Sequence, residues 1–167
     1  MPAGQSKVLL SGIDLTHSDG FLGVIGPNGA GKSTLVQLIS GFFTPTTGCI
    51  YWKDKPLGQM TGTERARQMA LVSPREQRPE FVLSVEAYLR LGRAPYQAWH
   101  GGWQAEDMRI QEQVVAFMEI EAFLSQPLQG LSSGEWQRIQ MSRALMQAPE
   151  LLLLDESTSH LDMGAQI

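Results

Sequence analysis

The residues best suited to chemistry form the segment Gly26-Pro-Asn-Gly-Ala-Gly-Lys-Ser33, which fits the pattern GxxxxGK[ST]. Glycines let the backbone curl so that successive N–H groups face one concavity, and a following helix adds its partial positive end. Lys32 would bring a point charge to the β- and γ-phosphates, and the Ser33 hydroxyl would offer an oxygen to Mg²⁺. The segment therefore predicts a phosphate-binding loop; the alternative is a glycine-rich turn with a solvated lysine.

An acidic pair, Asp155-Glu156, directly follows the apolar run Leu151–Leu154. Such a run is typical of a strand buried on both faces of a parallel sheet, and ligands of open α/β sheets bind at the carboxyl ends of the strands. Asp155 could there hold the magnesium shell opposite Ser33, and Glu156 could orient an attacking water or accept its proton. The alternative is a solvated acidic pair.

A third segment, Leu131-Ser-Ser-Gly-Glu135, comes directly before a helical pattern. Ser132 or Ser133 can cap that helix, and Glu135 stands near its first turn. On physical grounds alone this is a capped helix start, which attracts anions through its free N–H groups.

The elements that must position these residues follow from periodicity and from turn residues. The sequence predicts strands at Phe21–Ile25, Gly48–Trp52, Met69–Val72 and Leu151–Leu154, and helices at Lys32–Ile39, Thr63–Gln68, Ser84–Leu91, Ala105–Phe123 and Ser132–Gln147. This alternation predicts an α/β fold with an inserted, mostly helical region.

Composition excludes several classes of protein. The chain has 167 residues, 43% of them hydrophobic and 18% charged, which predicts a folded domain rather than disorder. A net charge of −4 gives no basic field for coating nucleic acid. The single cysteine, Cys49, makes an internal disulfide impossible, and no apolar run reaches the roughly 18 residues of a membrane span. We therefore expect a reducing compartment and membrane association only through a partner.

Taken in order, the segments resemble the ATP-binding subunit of ABC transporters. Gly26–Ser33 is similar to the Walker A loop, Leu131–Glu135 to the LSGGQ signature, Leu151–Glu156 to Walker B and Ser159–Asp162 to the D-loop. The resemblance covers about residues 8–167. It implies a P-loop NTPase fold, a mostly parallel sheet flanked by helices. The nucleotide-binding core would span about 1–78 and 148–167, and a helical subdomain with the signature about 79–147.

The resemblance also implies roles for individual residues. Glu156 and Lys32 would be catalytic, and Ser33, Asp155 and Gln77 would contact Mg²⁺. The nucleotide would contact Gly26, Pro27, Asn28, Gly29, Ala30, Gly31, Lys32, Ser33, Thr34, Gln77, Ser132, Ser133, Gly134 and Asp162. The last four of these would act across an interface between two copies of the chain.

The partners and cofactors implied are those of an importer. ATP and Mg²⁺ would be bound between two head-to-tail ATPase subunits, which drive transmembrane permease subunits and serve a solute-binding protein indirectly. The run Leu91-Gly-Arg-Ala-Pro95 is similar to the subgroup that imports iron-siderophores, haem or vitamin B12. The protein would then lie at the cytoplasmic face of the inner membrane, held there by the permease.

Several positions depart from the family pattern, among them Ser157, where proline is usual. Ser133 stands where the signature usually has glycine, and a side chain there could narrow the approach to phosphate. The place expected for the Q-loop glutamine holds Arg75, and the available glutamine is Gln77, two positions later. Whether Arg75 or Gln77 serves this loop stays open at this point.

The ends suggest an ATPase domain truncated on both sides. Only 25 residues precede Gly26, without a tryptophan, tyrosine or phenylalanine before Phe21 to stack on adenine, and five residues follow Asp162, without a switch histidine. The alternatives are therefore a nucleotide-binding module without turnover or, with less support, a non-transport ABC ATPase acting on nucleic acid. The latter class carries a long coiled coil, for which the roughly fifty residues between Gln77 and Leu131 have no heptads.

For two groups of residues in the helical region we expect structural roles. Arg90, Arg93 and Arg109 are expected on a solvated face; the alternative is contact with acidic residues of a coupling helix. The aromatic residues Tyr96, Trp99 and Trp103 are expected to pack within the region; the alternative is an aromatic patch for a membrane partner.

Overall fold

A computed structural model describes residues 9–73, 76–97 and 102–155 of the chain. The helices are α1 (Lys32–Ile39), α2 (Gly62–Gln68), α3 (Val85–Arg90), α4 (Ala105–Met118) and α5 (Ser133–Met146), and the strands are β1 (Tyr51–Trp52), β2 (Lys55–Pro56), β3 (Met69–Val72) and β4 (Leu151–Leu154). Short 3₁₀ segments lie at Leu57–Gln59, Leu91–Tyr96, Glu121–Phe123 and Leu128–Gly130. An α/β fold is confirmed.

Strands β3 and β4 pair in parallel, with Met69 opposite Leu151 and Val72 opposite Leu154. The Asp155 amide continues the ladder by donating to the Val72 carbonyl at 3.0 Å. Both strands therefore end at one edge of the sheet, where Asp155 was expected. The prediction that β4 is buried on both faces is wrong in part, because Leu153 is buried whereas Leu154 is 46% exposed. The hairpin β1–β2 is antiparallel.

The predicted strand at Phe21–Ile25 is wrong for this structure. The segment has no strand assignment, and both Phe21 and Ile25 are fully exposed. An apolar run becomes a strand only when a neighbouring backbone accepts its hydrogen bonds. In the described part of the chain, β4 pairs with β3 and no strand pairs with this run.

The helical region packs around one apolar cluster supplied by α3, α4, α5 and the segments between them. Its fully buried members include Val85, Leu89, Ile120, Leu128, Ile139 and Met146. Helix α4 ends at Met118, five residues earlier than predicted, because Glu119 adopts a left-handed conformation with φ 52°. The division of the chain into a core and a subdomain stays a prediction.

Arg93 is buried, so its expected place on a solvated face is wrong. It pairs with Asp107 at 2.6 Å, and the two side chains are 5% and 4% exposed. Its Nη1 also donates to the Met146 carbonyl, and its guanidinium lies 3.9 Å from the centre of the Tyr96 ring. Burial raises the pKa of Asp107, but hydrogen bonds from Arg93 and from the Gln104 amide outweigh it, so the pKa lies below its usual value.

The other members of these two groups that the structure describes are found at the positions expected. Arg90 and Arg109 are exposed and pair with Glu86 and Glu106 on their own helices. The Tyr96 hydroxyl donates to the carbonyls of Arg67 and Gln147, which ties the helical region to α2. Trp103 packs against the apolar cluster, and Trp99 lies outside the described residues.

Candidate functional site

The glycine-rich loop before α1 depends on two glycines in the left-handed region. Gly29 has φ 82°, and Gly31, the N-cap of α1, has φ 93°. A Cβ on Gly31 would also lie 2.7 Å from Leu10 Cδ2, so this position needs glycine for space as well as for conformation. The helix Lys32–Ile39 begins directly after the loop, as predicted.

Lys32 folds back over the loop that precedes it. Its ammonium donates to the carbonyls of Gly26 and Pro27 at 2.9 and 3.0 Å, and the Ala30 amide closes a turn onto Pro27 at 3.2 Å. Residues 26–30 are exposed. The lysine charge and the start of α1 thus lie at one accessible loop, the arrangement that suits a phosphate chain.

Ser33 and Asp155 meet across the fold. The Ser33 hydroxyl donates to Asp155 Oδ1 at 2.8 Å, although the residues are 122 positions apart. Oxygen ligands about 2.0–2.1 Å from an octahedral Mg²⁺ and at right angles to each other lie about 2.9 Å apart. A hydroxyl and a carboxylate are also ligands that Mg²⁺ accepts. The chemistry and spacing of these two oxygens therefore fit a magnesium site.

The start of α5 is a complete capping box. Ser132 Oγ accepts from the Glu135 amide at 3.3 Å, and Glu135 Oε2 accepts from the Ser132 amide at 2.7 Å. Hydrogen bonds from the Ser132 side chain and backbone lower the pKa of Glu135, which keeps the carboxylate charged. The preceding residue, Leu131, is 4% exposed and anchors the segment in the apolar cluster.

The predicted phosphate contacts of this segment face solvent. Ser132, Ser133 and Gly134 are exposed, and a Cβ on Gly134 would meet nothing within 4 Å. The Ser133 side chain departs from the family glycine at an open position, so it does not crowd the first turn of α5 in this structure.

The loop after β3 is held against α5 on both sides of Gln77, which is itself exposed. Before it, Glu76 accepts from the Tyr88 hydroxyl at 2.6 Å and pairs with Arg143 at 2.9 Å, while its carbonyl accepts from Gln140 at 3.2 Å. Burial raises the pKa of Tyr88, so this hydroxyl remains a donor throughout the physiological pH range.

On the other side of Gln77, Arg78 Nη2 donates to the Ser132 carbonyl at 3.1 Å. Sequence reasoning missed both this contact and the contacts of Glu76 with Tyr88 and Arg143. Contacts between residues more than 50 positions apart leave no local signal in a single sequence.

The described residues include most of the predicted site. The structure brings Ser33 to Asp155 and shows Lys32 at its loop, Gln77 in the loop after β3 and Ser132 at the start of α5. Arg75, Glu156 and Asp162 lie outside the described residues.

Comparison with known proteins identifies a family for nearly all of this chain. The profile of the family described as "ABC transporter" matches residues 10–159. An uncharacterized ABC transporter ATP-binding protein, YvrA of Bacillus subtilis, is 35% identical over 98% of the chain and 37% of its own length. The hemin import ATP-binding protein HmuV of Streptomyces coelicolor is 36% identical over 96% of the chain and 56% of its own length.

Solved structures show the same likeness. The ATP-binding subunit of an ABC transporter superposes with a TM-score of 0.67 at 31% identity, covering 81% of the chain and 54% of its own. The cbiO1 protein of Clostridium perfringens gives 0.67 at 27% identity, covering 83% and 54%. The chain thus spans about half the length of these proteins. In the part of the chain that the structure describes, no helix has the length and apolar character needed to cross a membrane.

Proposed function

Because the chain belongs to the family of ABC transporter ATP-binding domains, we propose that it binds and hydrolyses Mg-ATP as the nucleotide-binding subunit of an importer. The observation that carries the proposal is the 2.8 Å contact between Ser33 Oγ and Asp155 Oδ1. It brings the end of the glycine-rich loop to the end of β4, so one place holds phosphate donors and metal ligands together.

The residues of this chain divide the work of phosphoryl transfer. Loop amides and the start of α1 hold the phosphates, and Lys32 exchanges its bonds to the Gly26 and Pro27 carbonyls for bonds to phosphate oxygens. Ser33 and Asp155 would hold Mg²⁺, which would supply positive charge to offset the negative charge that develops on the phosphate oxygens. Glu156 is proposed to orient the attacking water and receive its proton.

The proposed site is completed by a second copy of the chain. The exposed segment Ser132–Gly134 would present a hydroxyl and a helix N-terminus to the γ-phosphate held by the partner subunit, and Asp162 would cross the same interface. The start of α5 is exposed at the surface, and its capping box satisfies only part of the N–H groups of the first turn. An exposed helix start of this kind supports the arrangement, because it attracts an anion. ATP binding would then close the dimer, and hydrolysis would open it.

The substrate class comes from the relatives. Proteins named as import ATP-binding proteins for cobalamin, petrobactin, iron(3+)-hydroxamate and hemin are 34–36% identical to this chain. We propose import of an iron-siderophore, haem or vitamin B12. The subunit would work through transmembrane permease subunits at the cytoplasmic face of the inner membrane, with a solute-binding protein upstream and Gln77 next to the permease contact.

The test measures ATP binding and turnover separately. The protein should bind a fluorescent ATP analogue and release phosphate with Mg²⁺; Lys32→Ala should lose binding, and Glu156→Gln should keep binding but lose turnover. Lys53→Ala is the matched control for the lysine change, because Lys53 is exposed and pairs with Glu150. Binding without turnover in the wild-type protein would instead support a nucleotide-binding module that does not complete the cycle.

A further inference from the structure

Arg78 lies at the start of α5, where the proposed function places the contact with the partner's nucleotide. Its guanidinium donates to the Ser132 carbonyl at 3.1 Å and lies 5.7 Å from the centre of the Trp136 ring. We propose that Arg78 is a positioning residue, which holds Ser132 and the first turn of α5 in the conformation that receives the γ-phosphate. The proposal rests on the proposed function of that segment.

The contacts of Ser132 show why one more hydrogen bond matters. Its amide donates to Glu135, its hydroxyl accepts from the Glu135 amide, and its carbonyl accepts from the Trp136 amide at 2.9 Å. These three bonds join Ser132 only to its own helix. The bond from Arg78 uses the second lone pair of the carbonyl and comes from a different part of the chain, so it fixes the helix start relative to the rest of the fold.

The Trp136 ring makes the position of Arg78 specific. Trp136 is 8% exposed and packs against the buried Tyr88, with the ring centres 5.1 Å apart and the ring planes tilted by 46°. A planar guanidinium can lie over this fixed ring and donate to a carbonyl at the same time, which an ammonium does less well.

The loop that carries Arg78 is anchored to the same helix a second time. Glu76 pairs with Arg143, which is 11 residues after Ser132 and therefore about 16 Å further along α5. The loop with Gln77 and the helix with Ser132 are thus held together near both ends of α5. A displacement of this loop would carry the phosphate-binding end of the helix with it.

The charge of Arg78 is favourable or unfavourable at the start of α5 according to whether a phosphate is bound there. A cation beside a helix N-terminus is unfavourable by itself, whereas an acidic residue there, here Glu135 in the first turn of α5, is favourable. When a phosphate arrives, the same cation becomes favourable. Arg78 should therefore act on the closed state with nucleotide between two subunits and leave binding at the loop Gly26–Ser33 nearly unchanged.

A kinetic experiment separates positioning from general stability. We expect Arg78→Ala to lower kcat for ATP about tenfold with KM within about twofold of wild type, and Arg78→Lys to restore part of kcat. The matched control is Arg109→Ala, because Arg109 is exposed and bound to Glu106 on α4. In a protein that already carries Ser132→Ala, adding Arg78→Ala should lower kcat by less than a further twofold, or about that at most. An unchanged kcat in Arg78→Ala would overturn the proposal. So would a double variant in which the kcat losses of Arg78→Ala and Ser132→Ala multiply.

A second measurement does not need turnover. Amide hydrogen exchange at Glu135 and Trp136 should become faster in Arg78→Ala but not in Arg109→Ala, with the same melting temperature in all three proteins. If amide exchange at Glu135 and Trp136 is unchanged in Arg78→Ala, the positioning role of Arg78 is overturned, even when the wild-type protein is fully active. A wild-type protein without turnover overturns the proposed function instead, so the two failures are distinguishable.

Discussion

Ser33 Oγ and Asp155 Oδ1 lie 2.8 Å apart, at the spacing of two adjacent ligands of one magnesium ion. The hydroxyl belongs to the first turn of α1, and the carboxylate follows β4 and is 4% exposed. Their contact brings two distant motifs together in the candidate site, and it gives the first prediction.

Asp155→Asn should weaken Mg-ATP binding at least about tenfold, because a neutral amide oxygen replaces a charged ligand. Titration with a fluorescent ATP analogue, with and without EDTA, measures this. Chelation should weaken binding to the wild-type protein and have little further effect on the variant. Equal effects of EDTA on both proteins would contradict a metal site at Asp155. The control is Asp54→Asn, on the hairpin between β1 and β2.

The buried pair of Arg93 and Asp107 should be one of the most sensitive points of the helical region. Asp107→Asn leaves the Arg93 charge buried without its partner, which should cost about 3 kcal/mol in the free energy of unfolding. Urea denaturation measures this loss. Glu106→Gln, one position earlier and exposed, is the matched control and should change stability little. Equal stability of the two variants would show that the buried pair is not needed.

The close approach of Gly92 to α5 gives a prediction about packing. A Cβ at Gly92 would collide with the Arg143 carbonyl and lie 2.7 Å from Met146 Cβ. We expect Gly92→Ala to destabilise the protein by about 2 kcal/mol, because a backbone oxygen cannot move away without shifting the helix. At Gly58 a Cβ meets nothing within 4 Å, so Gly58→Ala is the control. A melting temperature of Gly92→Ala at or above that of wild type would be the contrary result.

Glu64 gives a prediction about pH. A hydrogen bond from Lys55, followed by bonds from the Thr61 backbone and side chain, lowers the pKa of Glu64 from 4.5 to about 2. A lowered pKa means that the carboxylate stabilises the fold above pH 4.5 and that this contribution is lost as the pH falls towards 2. Glu64→Gln should therefore melt at a lower temperature than wild type at pH 7, and the gap should narrow steadily between pH 4.5 and 3.

The measurement is a series of thermal melts of both proteins from pH 7 to pH 3. Glu121→Gln, an exposed carboxylate at the start of a 3₁₀ segment, serves as the control. A gap that stays constant over this range would mean that the ionised form of Glu64 is not what stabilises α2.

Local signals in the sequence were sufficient for several elements. The predicted helix Lys32–Ile39 and the strands Met69–Val72 and Leu151–Leu154 have the predicted bounds, and Ser132 caps α5 with Glu135 as its box partner. Each of these depends on residues close together in the chain: glycine conformation, apolar periodicity and a capping pattern. The conformation of the glycine-rich loop before α1 was predictable for the same reason.

Contacts between distant residues decided the rest. An exposed run at Phe21–Ile25 reads like a buried strand, because composition does not reveal whether a neighbouring strand is there to pair with it. Arg93 reads like a surface cation until the fold places Asp107 and Tyr96 against it. The sequence by itself thus determined which residues could bind a nucleotide and where the helices begin. Only the tertiary structure brought Ser33 to Asp155 and Arg78 to Ser132, because those hydrogen bonds depend on how separate elements pack.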